Sequence, residues 1–307
     1  MKIALISDVH LLGRTPMNRM DNILDYQWDK LDFILRTCYD RGVCHVMQAG
    51  DLFDVPRNWD TLNKTIQIFK NYNDDIYIGS VFGQHDTYMR NNHVITNKVL
   101  LNQLDLLLVP DENHILYENE EVKVFGINFE DNLNIADLID TFEFTYNRKH
   151  ALVIHAPISD TPAFQGHEFL NATLLLKKLK SFDLILCGDI HKKFKIQMNG
   201  RWIVNTGCII RKNNDEYNQD YKPCFFIWDT DKRTVDEVQI PHNPSATIFN
   251  YGETVDTKNV LNDFINSIIV PAEESTDIYS AIKKFIKDNN IHPAIENLIS
   301  EVMIHEG

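Results

Sequence analysis

No stretch of 18 or more apolar residues occurs in this 307-residue chain, which excludes a membrane-spanning helix of ordinary length. The apolar run after Met1, Lys2-Ile3-Ala4-Leu5-Ile6, is too short for a secretory signal. A soluble, cytoplasmic protein with no membrane partner is therefore expected. Cysteine is scarce, with five residues (Cys38, Cys44, Cys187, Cys208, Cys224), an odd number and no CxxC pair. That argues against a disulfide framework and a structural zinc cluster, and leaves reduced thiols. A basic excess is lacking too: 30 Lys and Arg face 44 Asp and Glu, for a formal net charge of -14. A grip on nucleic acid by charge alone is excluded, and such a role needs metal ions, a local basic rim or a partner subunit. Repeats and low-complexity tracts are absent, and the only linker-like stretch is the polar run from Pro271 to Asp277.

With 44% hydrophobic residues, the chain has the composition of one large globular domain, or of one with an appendage. Short apolar runs rich in β-branched residues recur at 3–7, 43–48, 76–82, 122–127, 151–155 and 184–187. Most do not alternate with polar residues, so they read as strands buried on both faces. Helical patterns at about 25–41 (Trp28, Leu31, Ile34, Leu35, Cys38) and 60–71 (Leu62, Ile66, Phe69) separate the first three, as in βαβ units. The first half is therefore α/β. From about 194 the runs Phe194–Met198, Trp202–Asn205 and Cys224–Trp228, with Asn199-Gly200 as a turn, predict an antiparallel continuation. After Pro244 come three helical patterns, the last two carried by Ile278, Ala281, Ile282, Phe285 and Ile286, then Ile295, Leu298, Ile299, Val302 and Met303.

Five clusters of Asp and His lie at strand ends. They are Asp8-Val-His10, Gly50-Asp51-Leu-Phe-Asp54, Gly83-Gln84-His85-Asp86, the lone His155, and Gly188-Asp189-Ile-His191. In open α/β sheets the ligand crevice lies beyond the carboxyl ends of the strands, so all five are expected to converge. Several carboxylates in one place repel unless cations lie between them, and oxygen and imidazole donors suit Mn²⁺, Fe²⁺, Zn²⁺ or Mg²⁺. The glycines before three of the clusters are expected to permit tight strand-to-loop turns.

The order and form of these clusters resemble the calcineurin-like metallophosphoesterase superfamily, whose pattern is D-x-H, G-D-x-x-D, G-N-H-D/E, a lone H and G-H-x-H. The resemblance spans roughly residues 1–240, and Asp8-Val-His10-Leu-Leu-Gly13 with Gly50-Asp51-Leu-Phe-Asp54 is most similar to the SbcD-type DNA-repair nuclease subunit. It implies an αββα sandwich, two mixed sheets flanked by helices, as a catalytic domain over 1–244. A small helical appendage over 245–307 would cap substrate, dock a partner, or simply pack on its own domain. It further implies that Asp8, His10 and His191 hold one metal, that Asp51 bridges two, and that Gln84, His155 and Asp189 complete the second. His85 would bind the phosphoryl group or protonate the leaving oxygen, oriented by Asp86, and would not be a ligand. Two divalent ions would be needed, Mn²⁺ before Mg²⁺ or Fe²⁺. The activity implied is phosphodiester hydrolysis, with DNA as substrate and an SMC-like coiled-coil ATPase as partner, and homodimers are plausible. The alternatives are a small-molecule phosphodiesterase or phosphatase, and a non-catalytic scaffold of the same fold.

Two departures fall on the second metal: Gln84 stands where the family has Asn, and Asp189 where it has the first His of G-H-x-H. The extra carboxylate should favour harder ions over Zn²⁺. Asp54 reads equally as support for a ligand or as a helix cap. Lys192, Lys193, Lys195, Arg211 and Lys212 form either a positive rim for a phosphate backbone or a solvated hairpin. Cys208 reads as packing, and Arg57 and His93 as exposed loop residues within reach of substrate.

Overall fold

The apolar runs become strands in a computed structural model that describes residues 1–249, apart from 92–93, 131–134, 136–138, 140 and 162–167. One sheet contains β1 (Lys2–Ile6), β2 (His45–Gln48) and β3 (Tyr77–Ser80) in parallel, extended from β1 by antiparallel β12 (Cys224–Asp229) and β13 (Thr234–Gln239). The other has β4 (Ile115–Glu118), β5 (Val122–Ile127), β6 (Lys149–His155), β9 (Leu184–Gly188), β10 (Phe194–Met198) and β11 (Arg201–Asn205). Its inner strands β5, β6, β9 and β11 are parallel, and β4 and β10 are antiparallel edges. A short pair, β7 (Ile158–Ser159) with β8 (Leu170–Asn171), stands apart.

Each inner strand buries both faces because the sheets form the middle of four layers. Ile3 and Leu5 of β1, Val153 of β6 and Leu186 of β9 fill the space between the sheets. Ala4 and Ile6 instead pack with α1 (Ile23–Asp40), α2 (Trp59–Lys70) and α3 (Asn97–Gln103), through Leu31, Ile34, Leu62 and Leu101. On the far side, Leu152, Ile154 and Ile185 pack with Ala172 and Leu176 of α4 (Ala172–Lys178). This αββα arrangement accounts for the continuous apolar runs, and each such Leu or Ile buried contributes about 1.5–3 kcal/mol.

Caps place the helices. The Asn58 side chain accepts from Thr61 N–H at the start of α2, and Thr96 accepts from Val99 N–H at the start of α3. The Asn199-Gly200 turn joins β10 to β11 with both residues left-handed (φ 52° and 74°), as a two-residue hairpin requires. No helix among the described residues is long and apolar enough to cross a membrane.

The chain divides into two units, Met1–Asn250 and Tyr251–Gly307. The first includes α5 (Glu216–Asp220) and α6 (Ser245–Ile248), and Phe249 is fully buried beside Arg19. The helical patterns expected at 278–286 and 295–303 lie outside the described residues, as does His93.

Candidate metal centre

Five strand ends deliver the side chains. Asp8 and His10 follow β1, Asp51 follows β2, Gln84 and His85 form a 3-10 turn after β3, His155 ends β6, and Asp189 and His191 follow β9. Three of these, His10 (φ 51°), Asp51 (φ 53°) and Asp189 (φ 91°), hold left-handed backbone that L-residues seldom adopt. The first two loops are tied together, since Val9 N–H and His10 N–H both donate to the Asp51 carbonyl at 3.1 and 2.9 Å. The glycines expected to serve as turn residues act by close approach instead at two sites. A Cβ on Gly83 would sit 2.1 Å from Asp51 Oδ1, and one on Gly188 2.0 Å from the Ala49 carbonyl.

The side chains converge. Asp8, His10 and His191 bring ligand atoms within 4.8 Å of one another, as do Asp8, Asp51 and His155, and also His10, Asp51 and His85. Asp51 Oδ2 lies 3.6 Å from His10 Nε2 and 3.6 Å from His155 Nε2. That oxygen is buried and has no hydrogen-bond partner, like Asp8 Oδ2. The other oxygens are held, Asp51 Oδ1 by His85 N–H and Asp8 Oδ1 by Asp189 N–H, each at 2.9 Å.

The donor set fits cations. His155 Nδ1 lies 2.6 Å from the Ala49 carbonyl, which places its proton there, and its Nε2 then faces Gln84 Oε1 at 2.6 Å, acceptor against acceptor. His10 Nε2 and His191 Nε2 face each other at 2.9 Å. A buried imidazole acceptor that points at another acceptor, as His155 does at Gln84, is costly unless a positive ion lies between them. Electrostatics agree: burial pushes the Asp8 and Asp51 carboxyls up to about 7. Burial, reinforced by Lys212, lowers His191 to about 3, and burial also pushes His10 well down. Neutral imidazoles beside carboxylates short of cations are ready ligands. Gln84 and Asp189 both lie beside His155 Nε2, with Gln84 Nε2 donating to Asp189 Oδ1 at 2.8 Å.

One expectation changes, and two open readings narrow. Asp86 does not orient His85. It is fully buried, its Oδ1 accepts from Leu52 and Phe53 N–H, and its Oδ2 accepts from Gly83 N–H and from Lys98 Nζ at 2.8 Å. With those acceptor positions filled, Asp86 braces the turns that carry Asp51 and Gln84, while His85 Nδ1 donates to the Asp54 carbonyl at 2.8 Å. Asp54 does not cap α2, which Asn58 caps, and its Oδ1 lies 3.4 Å from His10 Nδ1 without hydrogen-bond alignment. Burial pushes the Asp54 carboxyl up, but His10 and Lys212 outweigh it and hold it below the usual range. The basic rim is largely engaged within the protein. Lys193 pairs with Glu237 and Lys212 with Asp54, Lys195 donates to the Val235 carbonyl, and Arg211 is buried. Cys208 is buried, as expected of packing.

Lys98 escaped sequence reasoning. It is fully buried under the centre, and its only signal is a lysine beside Val99, Leu100 and Leu101 in a run too short to show helical period.

Residues 1–233 match the family model described as the calcineurin-like phosphoesterase superfamily domain. An uncharacterised protein of Acanthamoeba polyphaga mimivirus is 23% identical over 231 residues, 69% of this chain. The match spans only 16% of that protein's length. A provisional 5′-nucleotidase of Staphylococcus aureus has a similar structure (TM-score 0.51, 12% identity), covering 87% of this chain and 58% of that one. A dimetal phosphatase of Danio rerio covers 74% of this chain and 91% of its own, with TM-score 0.46 and 11% identity. Structural likeness at these identities speaks to fold alone. The family match extends over most of the chain and over every candidate residue just described, so the chain belongs to the calcineurin-like phosphoesterase superfamily.

Proposed function

We propose that the chain is a divalent-metal-dependent phosphodiester hydrolase acting on nucleic acid, in the manner of the SbcD-type nuclease subunits it resembles. The observation that carries the hydrolase reading is Asp51 Oδ2, buried, unpartnered and equidistant at 3.6 Å from two imidazole nitrogens. A carboxylate so placed suits a bridge between two ions. Asp8, His10 and His191 would hold the first ion, and Gln84, His155 and Asp189 the second, with Asp51 shared. Ions bound there supply Lewis acidity to a phosphoryl group and make water nucleophilic near neutral pH.

The chain's own groups do the rest. The Asp54 carbonyl fixes His85 by its Nδ1 proton, which leaves Nε2, partly exposed, to hold a proton for the departing oxygen. Lys212 holds Asp54 by an ion pair. The oxygen-rich second set favours Mn²⁺, with Mg²⁺ or Fe²⁺ next. On this reading a coiled-coil ATPase or a second copy of the chain supplies the missing positive surface.

A small-molecule phosphodiester is the second reading, favoured by the engagement of Lys193, Lys195, Arg211 and Lys212 within the protein. Purified protein with Mn²⁺ is assayed on linear duplex DNA, single-stranded DNA and a bis-aryl phosphate, beside Asp51→Asn and His85→Ala. DNA cleavage that both substitutions abolish is expected. Aryl-ester cleavage alone, even with an ATPase partner added, selects the second reading, and inactivity with every metal removes both. For His85→Ala the expected loss is about 10²–10⁴-fold, with two ions still bound by calorimetry. Loss of one ion would instead make His85 a ligand.

A further inference from the structure

Five of the fourteen exposed large hydrophobic side chains among the described residues lie between Val55 and Ile95, four on the two loops that carry Asp54 and His85 and one, Trp59, at the start of α2. They are Val55, Trp59, Tyr88, Met89 and Ile95, with Trp59 76% and Met89 82% exposed. Grouped exposed apolar side chains mark a binding surface more often than scattered ones do.

Arg57 and Tyr88, on these same two loops, form a fixed pair. The Arg57 guanidinium carbon lies 4.5 Å from the Tyr88 ring centroid, and Arg57 Nε donates to the Ile95 carbonyl at 3.0 Å. Surface arginines ordinarily keep their rotamer freedom, yet this one is held by two contacts while Tyr88 stays 40% exposed. Tyr88 is itself held at the foot of a tight turn. Asn91 N–H donates to its carbonyl at 3.0 Å, and both central residues, Met89 (φ 51°) and Arg90 (φ 55°), are left-handed without being glycine. Backbone of that kind gathers at functional sites.

The pair is continuous with the metal centre. The two loops touch where His85 Nδ1 donates to the Asp54 carbonyl, and three residues farther along each they meet again as Arg57 and Tyr88. Three residues span at most about 10 Å, so a nucleotide with its phosphate at the centre can lay its base on the pair. A guanidinium and a phenol are the groups on which bases stack without regard to sequence, because every base presents a π face.

We propose that Arg57 and Tyr88 form a stacking platform for a nucleobase of the substrate, so that the diester hydrolysed at the metal centre is one that bears a nucleoside. This rests on the phosphodiester-hydrolase reading and narrows it. The platform is indifferent to whether the nucleoside belongs to a polymer or to a small molecule.

Two substrates with one leaving group test it: thymidine 5′-(p-nitrophenyl phosphate) and methyl p-nitrophenyl phosphate, each with Mn²⁺ and the full chain. The ratio of their kcat/KM values is expected to favour the nucleoside ester by about ten-fold or more, and to collapse in Tyr88→Ala through KM. Tyr88→Phe, which keeps the ring, is expected to retain it. An unchanged ratio in Tyr88→Ala, or no preference in the unsubstituted protein, overturns the platform. Hydrolysis of neither ester counts against the hydrolase reading instead, and a binding measurement then judges the platform alone. Titrating the protein into a 2-aminopurine dinucleotide should quench its fluorescence, less in Tyr88→Ala and fully in Tyr88→Phe. Absent or Tyr88-independent quenching overturns the platform whatever the activity.

Discussion

Gln84 Nε2 donates to Asp189 Oδ1 at 2.8 Å, so the two residues that depart from the family's pattern are partners. The longer amide reaches the carboxylate with its NH₂ while its Oε1 stays beside His155 Nε2. A carboxylate in place of an imidazole adds negative charge, and the amide offsets part of it by hydrogen bonding. Restoring one family residue without the other should therefore be worse than restoring both. Asp189→His is expected to shift metal preference toward Zn²⁺ and to weaken total binding, and adding Gln84→Asn is expected to recover affinity. Calorimetric titration of the two single variants and the double variant with Mn²⁺ and Zn²⁺ measures this coupling. Additive effects would mean that the contact does not matter to the ions.

Asp51 is placed for function against stability. Its Oδ2 has no partner, and burial raises its carboxyl to about 7. Asp51→Asn keeps an acceptor for His85 N–H and removes the buried charge. Without metal, the variant is expected to melt higher by about 2–4 °C, the shift of a 1 kcal/mol gain in a domain of this size. With Mn²⁺ the order should reverse. Calorimetric melting with and without metal decides, and a lower melting point in both states would contradict the account.

The same carboxyls set a pH dependence. For Asp8 and Asp51 the folded value, about 7, lies above the ordinary 3.8, so folding takes up protons and the metal-free protein loses stability as pH rises from about 4 to 7. His10 and His191 act oppositely. Their folded values lie below 6.5, so their contribution grows as pH rises toward 6.5 and offsets the carboxyls there. Above that only the carboxyl effect remains, and ions must displace those protons to bind. The rise in melting temperature on adding Mn²⁺ is expected to be larger at pH 8 than at pH 6. An equal or smaller rise at pH 8 would place these carboxyls outside the metal site.

Lys98 and Asp86 form an ion pair of 2.8 Å with both side chains fully buried. Removing one partner leaves the other charge without compensation, so Lys98→Met is expected to destabilise the fold by about 3–5 kcal/mol. The variant should also bind Mn²⁺ more weakly, because Asp86 holds the N–H groups of Leu52, Phe53 and Gly83 around Asp51. Urea unfolding gives the first quantity and calorimetry the second. A loss below about 1 kcal/mol would show that water reaches the pair.

The inner strands were readable because both faces are buried. Runs such as Leu184–Cys187 leave no polar alternation, and each strand end carries a cluster of chemically marked residues. The helices α1 and α2 are long enough to show their period, whereas α3 and α4 have seven residues each and escape it. β4 escaped as a four-residue edge strand. At the site, residue types pointed to the side chains that converge but not to the partners of Asp86 and His85. Those bonds depend on which backbone groups the loops turn inward, and spacing along the chain carries no trace of that. The rim stayed open for a related reason: Lys193 and Glu237 are 44 residues apart in sequence, one leading into β10 and the other in β13 of the other sheet, so the acidic partner was out of view.

His10, Asp51 and Asp189 occupy backbone that glycine adopts freely and other residues adopt at a cost of about 1–2 kcal/mol each. A selection that rewarded heat resistance alone would therefore drift toward glycine at the three positions where glycine supplies no donor atom. Variants so obtained should be firmer proteins that have lost their ions. Libraries built to harden this scaffold should leave those codons untouched.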